Sequence, residues 1–312
     1  MKILSTHELT EEQKNKILHI CPGAGIHIER DRERMPEHAE GTEILFGGRF
    51  DARFLKAAKD LRWIQVTSAG VDRLLFPELV ESDITLTNTR GMHARAIAEH
   101  VFAMILSFEK HIVKYVLSKE AARWEREQSR MLWNKTMAVL GLGSIGSQVA
   151  KIARAFEMRV VGTVRTPRPI EYADRVYGPD EMSHFLPSAD YVVICLPLTG
   201  ETKGYIGRDE LALMKPDALL VNIARGNVVE QEALLWALRS GQIRGACLDV
   251  FATEPLPSDS PLWQLQNVLI TPHVAGVFEG YMEEAMEVFY ENLRRYKNNE
   301  PLINVVDKKR GY

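Results

Sequence analysis

The stretch "TMAVLGLGSIGSQVAKIARAF", residues 136–156, decides how the whole chain is read. An apolar run suited to a strand ends at Leu140, and a pattern of helical period opens at Ser144. Gly141, Gly143 and Gly146 stand at this junction in G-x-G-x-x-G spacing. The spacing alone arises by chance, but between a strand and a helix it has a mechanism. Gly141 permits a tight turn, Gly143 lets a pyrophosphate approach the backbone, and Gly146 lets the helix pack closely on the strand. The phosphates then sit over the helix N-terminus, at Ser144 and Ile145, where N–H groups and the helix dipole favour anions. A dinucleotide-binding Rossmann unit is predicted.

Working outward, the segments after this turn keep alternating. Strands are predicted at Met137–Leu140, Val160–Val164, Tyr191–Cys195, Leu219–Ile223, Ala246–Val250 and Val268–Thr271, with helices such as Ser144–Phe156 and Gln231–Ser240 between them. Most of these strands are continuously apolar, as expected when helices cover both faces of a parallel sheet. Six parallel strands in doubly wound order are therefore expected. A second series precedes the turn, with strands at Lys2–Ser5, Ile26–Glu29, Glu43–Phe46, Trp63–Thr67 and Thr85–Asn88. Helical patterns at Thr10–Ile20 and Asp51–Ala58 separate them. A long helical stretch over 97–116 and the polar segment "RWEREQSRMLWNKT" divide the two series. The C-terminal pattern "EGYMEEAMEVFYENLRRYKNNE" predicts a helix that carries the tail "PLINVVDKKRGY" back to the first domain. The fold class is α/β: two doubly wound parallel-sheet domains, as suits a chain of 312 residues.

Composition excludes several function classes. The net charge is −3, with 39 basic and 42 acidic residues, and no Lys/Arg block marks a nucleic-acid footprint. The longest apolar run, "VFAMILSF", is far short of the roughly 20 residues of a membrane span. Cys21, Cys195 and Cys247 are odd in number and far apart, which argues against disulfides or a metal site and suits a reducing cytoplasm. No signal-peptide pattern opens the sequence.

Three strand ends carry the candidate chemistry. "LLVNIARGNVVE" puts Arg225 just past a strand, "ACLDVFATEPLP" puts Asp249 and Glu254 after the next, and "VLITPHVAG" puts His273 after the last. In an open parallel sheet the loops at the carboxyl ends of strands form the ligand crevice. Reduction of a 2-oxo acid needs this set. A histidine that titrates near neutrality gives a proton to the developing alkoxide, and a carboxylate beside it holds its tautomer. An arginine grips the substrate carboxylate with paired hydrogen bonds. The strand end "VVGTVRTPRP" has Arg165, Thr166 and Arg168 where an NAD-binding chain is expected to place a carboxylate. Guanidinium groups there match a 2′-phosphate, so NADP(H) is predicted to be preferred over NAD(H).

These motifs, with "GLGSIG", "CLPLTGETKGYI", "LLVNIARG", "DVFATEPLP" and "TPHVAG" in order, resemble the D-isomer-specific 2-hydroxyacid dehydrogenases over nearly the full length. The spacings of 29 residues from Arg225 to Glu254 and 19 from Glu254 to His273 are similar to those of the family. The resemblance implies that Arg225 clamps substrate, Glu254 partners the histidine and His273 is the acid/base. It implies Asp249 near the nicotinamide amide, Leu196, Pro197 and Thr202 along the adenosine side, and Ala224 among the cofactor contacts. "VTSAGVDRL" resembles the loop whose backbone, at Ala69, Gly70 and Val71, meets the substrate carboxylate. The "VRTPRP" stretch is similar to that of NADPH-favouring glyoxylate/hydroxypyruvate reductases. The family pattern further implies a flavodoxin-like substrate domain of residues 1–97 and 286–312 and a cofactor domain of 98–285. It implies a homodimer built through an arm at about 97–135; no metal is expected, from the cysteine pattern above. The family also includes corepressors that keep the fold, so a nucleotide-sensing regulator is the alternative. His100 is expected to be packed or at an interface.

Overall fold

The computed structural model describes residues 1–312 as two compact units, Met1–Met92 with Phe278–Tyr312, and His93–Val277. In the first, the chain runs β1 (Lys2–Ser5), α1 (Glu11–Ile20), β2 (Gly25–Ile28), β3 (Thr42–Phe46), α2 (Ala52–Ala57), β4 (Trp63–Gln65), α3 (Pro77–Val80) and β5 (Thr85–Thr87). Its sheet has the order β2-β1-β3-β4-β5 with every pairing parallel, the flavodoxin-like arrangement. Local sequence explains the helix starts. The Thr10 hydroxyl accepts from the Gln13 N–H while the Gln13 side chain accepts from the Thr10 N–H, and the Asp51 carboxylate accepts from the N–H groups of Arg53 and Phe54.

The second unit begins with α4 (Ala94–Glu109) and α5 (Ile112–Glu120). The stretch read as one helix is thus two, broken where His111 takes a left-handed backbone (φ 52°). There follow β6 (Thr136–Leu140), α6 (Ser144–Ala155), β7 (Arg159–Thr163), β8 (Arg175–Tyr177), β9 (Tyr191–Ile194), α7 (Arg208–Leu213), β10 (Leu219–Asn222), α8 (Gln231–Ser240), β11 (Gly245–Leu248) and β12 (Val268–Ile270). The sheet order is β12-β11-β10-β9-β6-β7-β8, all parallel. It has seven strands rather than six. The extra one, β8, is only three residues long and lies at the sheet edge, where "RVY" offers little apolar signal.

Period-2 alternation divides each strand between two cores. In β6, Ala138 and Leu140 join Val192, Ile194, Leu220, Ala246 and Leu248 on one face, under Leu211 of α7 and Leu234 and Leu238 of α8. Met137 and Val139 join Val193, Val221 and Cys247 on the other, under Val101, Phe102 and Ile105 of α4 and Val149 and Ala153 of α6. No helix is long and apolar enough to cross a membrane.

After the second unit, α9 (Tyr281–Lys297) lies on the first unit's sheet. Trp63 is fully buried there, with ring centroids 5.4 Å from both Phe289 and Tyr296, and its indole N–H donates to the Thr87 hydroxyl at 2.7 Å. It therefore ties α9 to two strands at once. Trp63→Ala should cost about 3–5 kcal/mol, seen as a lower urea midpoint by circular dichroism, with Trp63→Phe falling between it and the parent. An unchanged midpoint would show that α9 is held by other contacts.

Candidate active site

The carboxyl ends of the second unit's strands lie level with one another. Thr163 pairs with Leu140, Leu140 with Ile194, Ile194 with Asn222, Asn222 with Leu248 and Leu248 with Ile270. Every second-unit motif singled out in the sequence leaves from this one edge. That common edge is what a parallel sheet does to residues far apart in the chain.

At the β6 end the glycine turn has the geometry its sequence predicts. Gly141 sits at φ 98°, which favours glycine. A Cβ on Gly146 would lie 2.1 Å from the Gly141 carbonyl oxygen, so the close strand–helix contact requires hydrogen there. Gly143 faces open space, with no atom within 4 Å of where its Cβ would stand, and no side chain caps the N-terminus of α6. The turn is pinned by the Gly141 and Leu142 N–H groups, which donate to Thr163. This arrangement fits a pyrophosphate: a rigid turn, an open approach and uncapped N–H donors.

Beside it, Arg165, Thr166 and Arg168 are exposed beyond β7. An Arg165 Nη donates to both carboxylate oxygens of Glu201 at 2.8 and 2.7 Å. Leu196, Pro197 and Thr202 belong to the loop after β9, where the Thr202 hydroxyl donates to the Pro197 carbonyl at 2.6 Å and accepts from the Thr199 N–H at 2.8 Å.

Arg225 leaves the end of β10 in extended backbone. Asn222 shapes this loop, its side-chain NH2 donating to the Arg225 carbonyl and its oxygen accepting from the Ala224 N–H. Gly226 allows the loop to press against the next one. A Cβ there would stand 1.9 Å from the Phe251 carbonyl carbon. Neither Asn222 nor Gly226 was singled out in the sequence, although both stand inside the "VNIARG" motif.

His273 follows β12. Its Nδ1 lies 2.8 Å from Glu254 Oε2, and the other Glu254 oxygen accepts from the Phe251 N–H at 3.0 Å. Glu254 is thus held by backbone through one oxygen while the other meets the ring. The histidine side chain is 43% exposed against 13% for Glu254, so the ring is open to solvent while its partner stays sheltered. The contact orients the ring and favours a proton on Nδ1, leaving Nε2 as the group presented outward.

The backbone of His273 is left-handed (φ 55°), a conformation that costs a non-glycine residue about 1–3 kcal/mol. Asp249 holds it there. This buried carboxylate accepts from the Thr271 hydroxyl at 2.6 Å, from the Val274 N–H at 2.9 Å and from the Ala275 N–H at 3.0 Å, while its own carbonyl accepts from the His273 N–H at 2.8 Å. His100 on α4 adds a ring nitrogen 3.0 Å from the Thr271 hydroxyl. Thr271 and His100 therefore belong to the support of the histidine loop, a role their sequence positions did not announce.

In the first unit, Ala69, Gly70 and Val71 lie in the loop after β4. The carbonyls of Ser68, Ala69, Gly70 and Val71 each accept a hydrogen bond, from Thr89, Asn88, Ser68 and Leu74 respectively. Past β1, burial first and then the nearby Arg49 and Arg30 push His7 below the ordinary histidine range.

A dinucleotide turn, an arginine and a carboxylate-backed histidine on one sheet edge define a nicotinamide-dependent oxidoreductase. Comparison with known proteins narrows this class. Residues 102–275 match the description "D-isomer specific 2-hydroxyacid dehydrogenase, NAD binding domain". The glyoxylate reductase of Pyrococcus furiosus is 33% identical over 89% of this chain and 86% of its own length. A D-isomer specific 2-hydroxyacid dehydrogenase from Xanthobacter autotrophicus, solved with NADPH and MES, superposes with a TM-score of 0.85 at 31% identity over 100% of this chain and 99% of that one. The NADPH-dependent glyoxylate/hydroxypyruvate reductase of Sinorhizobium meliloti, solved with NADP and sulfate, gives 0.86 at 25% identity, covering 100% and 99%. The chain belongs to the D-isomer specific 2-hydroxyacid dehydrogenase family.

The support of the histidine loop can be tested directly. Asp249→Asn keeps the shape but sets an NH2 against the Ala275 N–H, and leaving these donors unpaired costs about 1–3 kcal/mol. The variant should melt at lower temperature and lose kcat disproportionately to any change in cofactor affinity. Unaltered kcat in a folded Asp249→Asn protein would show that the loop does not need this carboxylate.

Proposed function

We propose that the enzyme reduces a small 2-oxo acid to the D-2-hydroxy acid, reversibly, with NADPH as the preferred cofactor. The observation that carries this reading is the Glu254–His273 contact of 2.8 Å, at the same sheet edge as Arg225 and the glycine turn. In the balanced reaction, 2-oxo acid, reduced cofactor and one proton give 2-hydroxy acid and oxidised cofactor. When bound, the nicotinamide supplies the hydride to the carbonyl carbon. Arg225 binds the substrate carboxylate through its fork of donors and draws the carbonyl into line. His273 gives the proton from Nε2 to the carbonyl oxygen as negative charge develops there. Glu254 holds the ring plane throughout through its contact with Nδ1. In the oxidative direction the same Nε2 takes the proton back.

In the same reading the backbone of the loop at Ala69, Gly70 and Val71 binds a carboxylate, and Asp249 acts on the nicotinamide side through the loop it supports. Glyoxylate and hydroxypyruvate are the first substrates to examine, because the relatives from P. furiosus and S. meliloti carry those names. The NADPH preference rests on Arg165, Thr166 and Arg168 beyond β7 and on the NADP(H) bound in two of the compared structures. The reactive set at the strand ends favours an enzyme over a nucleotide-sensing regulator. The assembly in this reading is a homodimer of the reducing cytoplasm. Ile112, Val113, Val116 and Leu117 on α5, with Trp124, Met131 and Trp133 after it, are exposed apolar side chains that a second copy would cover, and all three cysteines are free thiols.

Absorbance at 340 nm with NADPH or NADH and a panel of glyoxylate, hydroxypyruvate, pyruvate and bulkier 2-oxo acids tests the proposal. A small 2-oxo acid should be turned over, with a D-configured product where the carbon is chiral. Arg225→Gln should lower kcat/KM by about 10²–10³, mostly through KM. No cofactor oxidation with any acid of the panel would contradict the reading.

A further inference from the structure

The Arg165–Glu201 pair places an acid within reach of the strand end that lacks one. Glu201 comes from the loop after β9, which is tied by its own hydrogen bonds. The Thr199 hydroxyl accepts from the Glu201 N–H at 3.2 Å, the Lys203 N–H donates to the Thr199 carbonyl at 3.0 Å, and Thr202 closes back on Pro197. Its carboxylate accepts with both oxygens from one Arg165 nitrogen. We infer that Glu201 is a cofactor-selectivity residue that opposes NADPH, by competing with the adenosine 2′-phosphate for the Arg165 guanidinium. The inference rests on the assignment of Arg165 to that phosphate.

The two cofactors meet Glu201 differently. A 2′-phosphate carries a charge of about −1.5 to −2 at neutral pH. It competes for the Arg165 nitrogen that Glu201 occupies, and its charge is repelled by the carboxylate that remains nearby. A neutral 2′-hydroxyl makes neither demand, so NADH binding is indifferent to the charge on Glu201. The Arg165 and Glu201 side chains are 52% and 76% exposed, so water and salt limit the effect. An exposed ion pair shifts an equilibrium by no more than about fivefold, and the added repulsion between like charges is screened within about 10 Å at 0.1 M salt. A total effect of about 3–10-fold follows.

The test measures equilibrium binding of NADPH and NADH by titration calorimetry to the parent enzyme, Glu201→Gln and Arg165→Gln, at low and at high salt. Glu201→Gln should bind NADPH about 3–10-fold more tightly, with NADH within about twofold, and the gain should shrink as salt rises. In an Arg165→Gln background the Glu201 substitution should gain less. Calorimetry with 2′,5′-ADP against 5′-AMP should repeat the pattern without the nicotinamide half. If Arg165→Gln weakens NADPH but Glu201→Gln leaves it unchanged, the role of Glu201 is overturned and the phosphate assignment stands. A loss of NADH affinity in Glu201→Gln with no gain for NADPH overturns it as well, and places the carboxylate on the ribose hydroxyl. If Arg165→Gln leaves NADPH binding intact, the phosphate assignment and the inference on Glu201 fall together.

Discussion

Everything proposed for the chemistry depends on one buried carboxylate. Asp249 follows β11 inside the protein and collects the Thr271 hydroxyl and the Val274 and Ala275 N–H groups, while its backbone carbonyl takes the His273 N–H. A buried carboxylate is costly unless such donors surround it. Here they are the backbone of the very loop that carries the histidine. The bonds that satisfy the charge are therefore the bonds that keep His273 left-handed and turned outward. Glu254 then acts on the ring itself. One acid orders the main chain and the other orders the side chain.

The division of labour is made possible by the sheet. Parallel strands whose ends are level bring Gly141, Arg225, Asp249 and His273 to one edge from over a hundred residues of sequence. Each interior strand sends alternate side chains into two cores, so its position is fixed from both faces. Precision at the edge is inherited from packing below it. Gly226 illustrates the point, since the Arg225 loop and the loop through Phe251 approach so closely that a methyl group has no room.

Much of this was legible in the sequence because its signals are strong and local. Continuous apolar runs marked the interior strands to within a residue or two, and the glycine spacing marked the turn. The pairing of Glu254 with His273, a 2.8 Å contact in the structure, was implied by the resemblance to the family. What the sequence hid depends on short segments or on tertiary partners. The three residues of β8 are paired only because β7 lies beside them. The break between α4 and α5 turns on one left-handed residue, His111, in a run whose periodicity continues through it. At the end of α4, Glu109 is buried and answered by Arg244 and Tyr191, partners more than eighty residues away. Glu201 reads as an ordinary loop acid until the fold sets it against Arg165. Asp249 and Thr271 both lie in recognisable motifs, yet their contact with each other is invisible without the β11–β12 register.

The central claim is that His273 is the proton donor in a site that otherwise binds its ligands without it. The most direct measurement is a single turnover, in a stopped-flow instrument, of preformed enzyme–NADPH complex with the best 2-oxo acid, comparing the parent with His273→Asn. The account predicts that the step consuming the 340 nm absorbance slows by about 10²–10⁴, while the dissociation constant for NADPH, measured separately, stays within about twofold of the parent value. A His273→Asn enzyme that consumes its cofactor at the parent rate would contradict the account and assign the proton to another group.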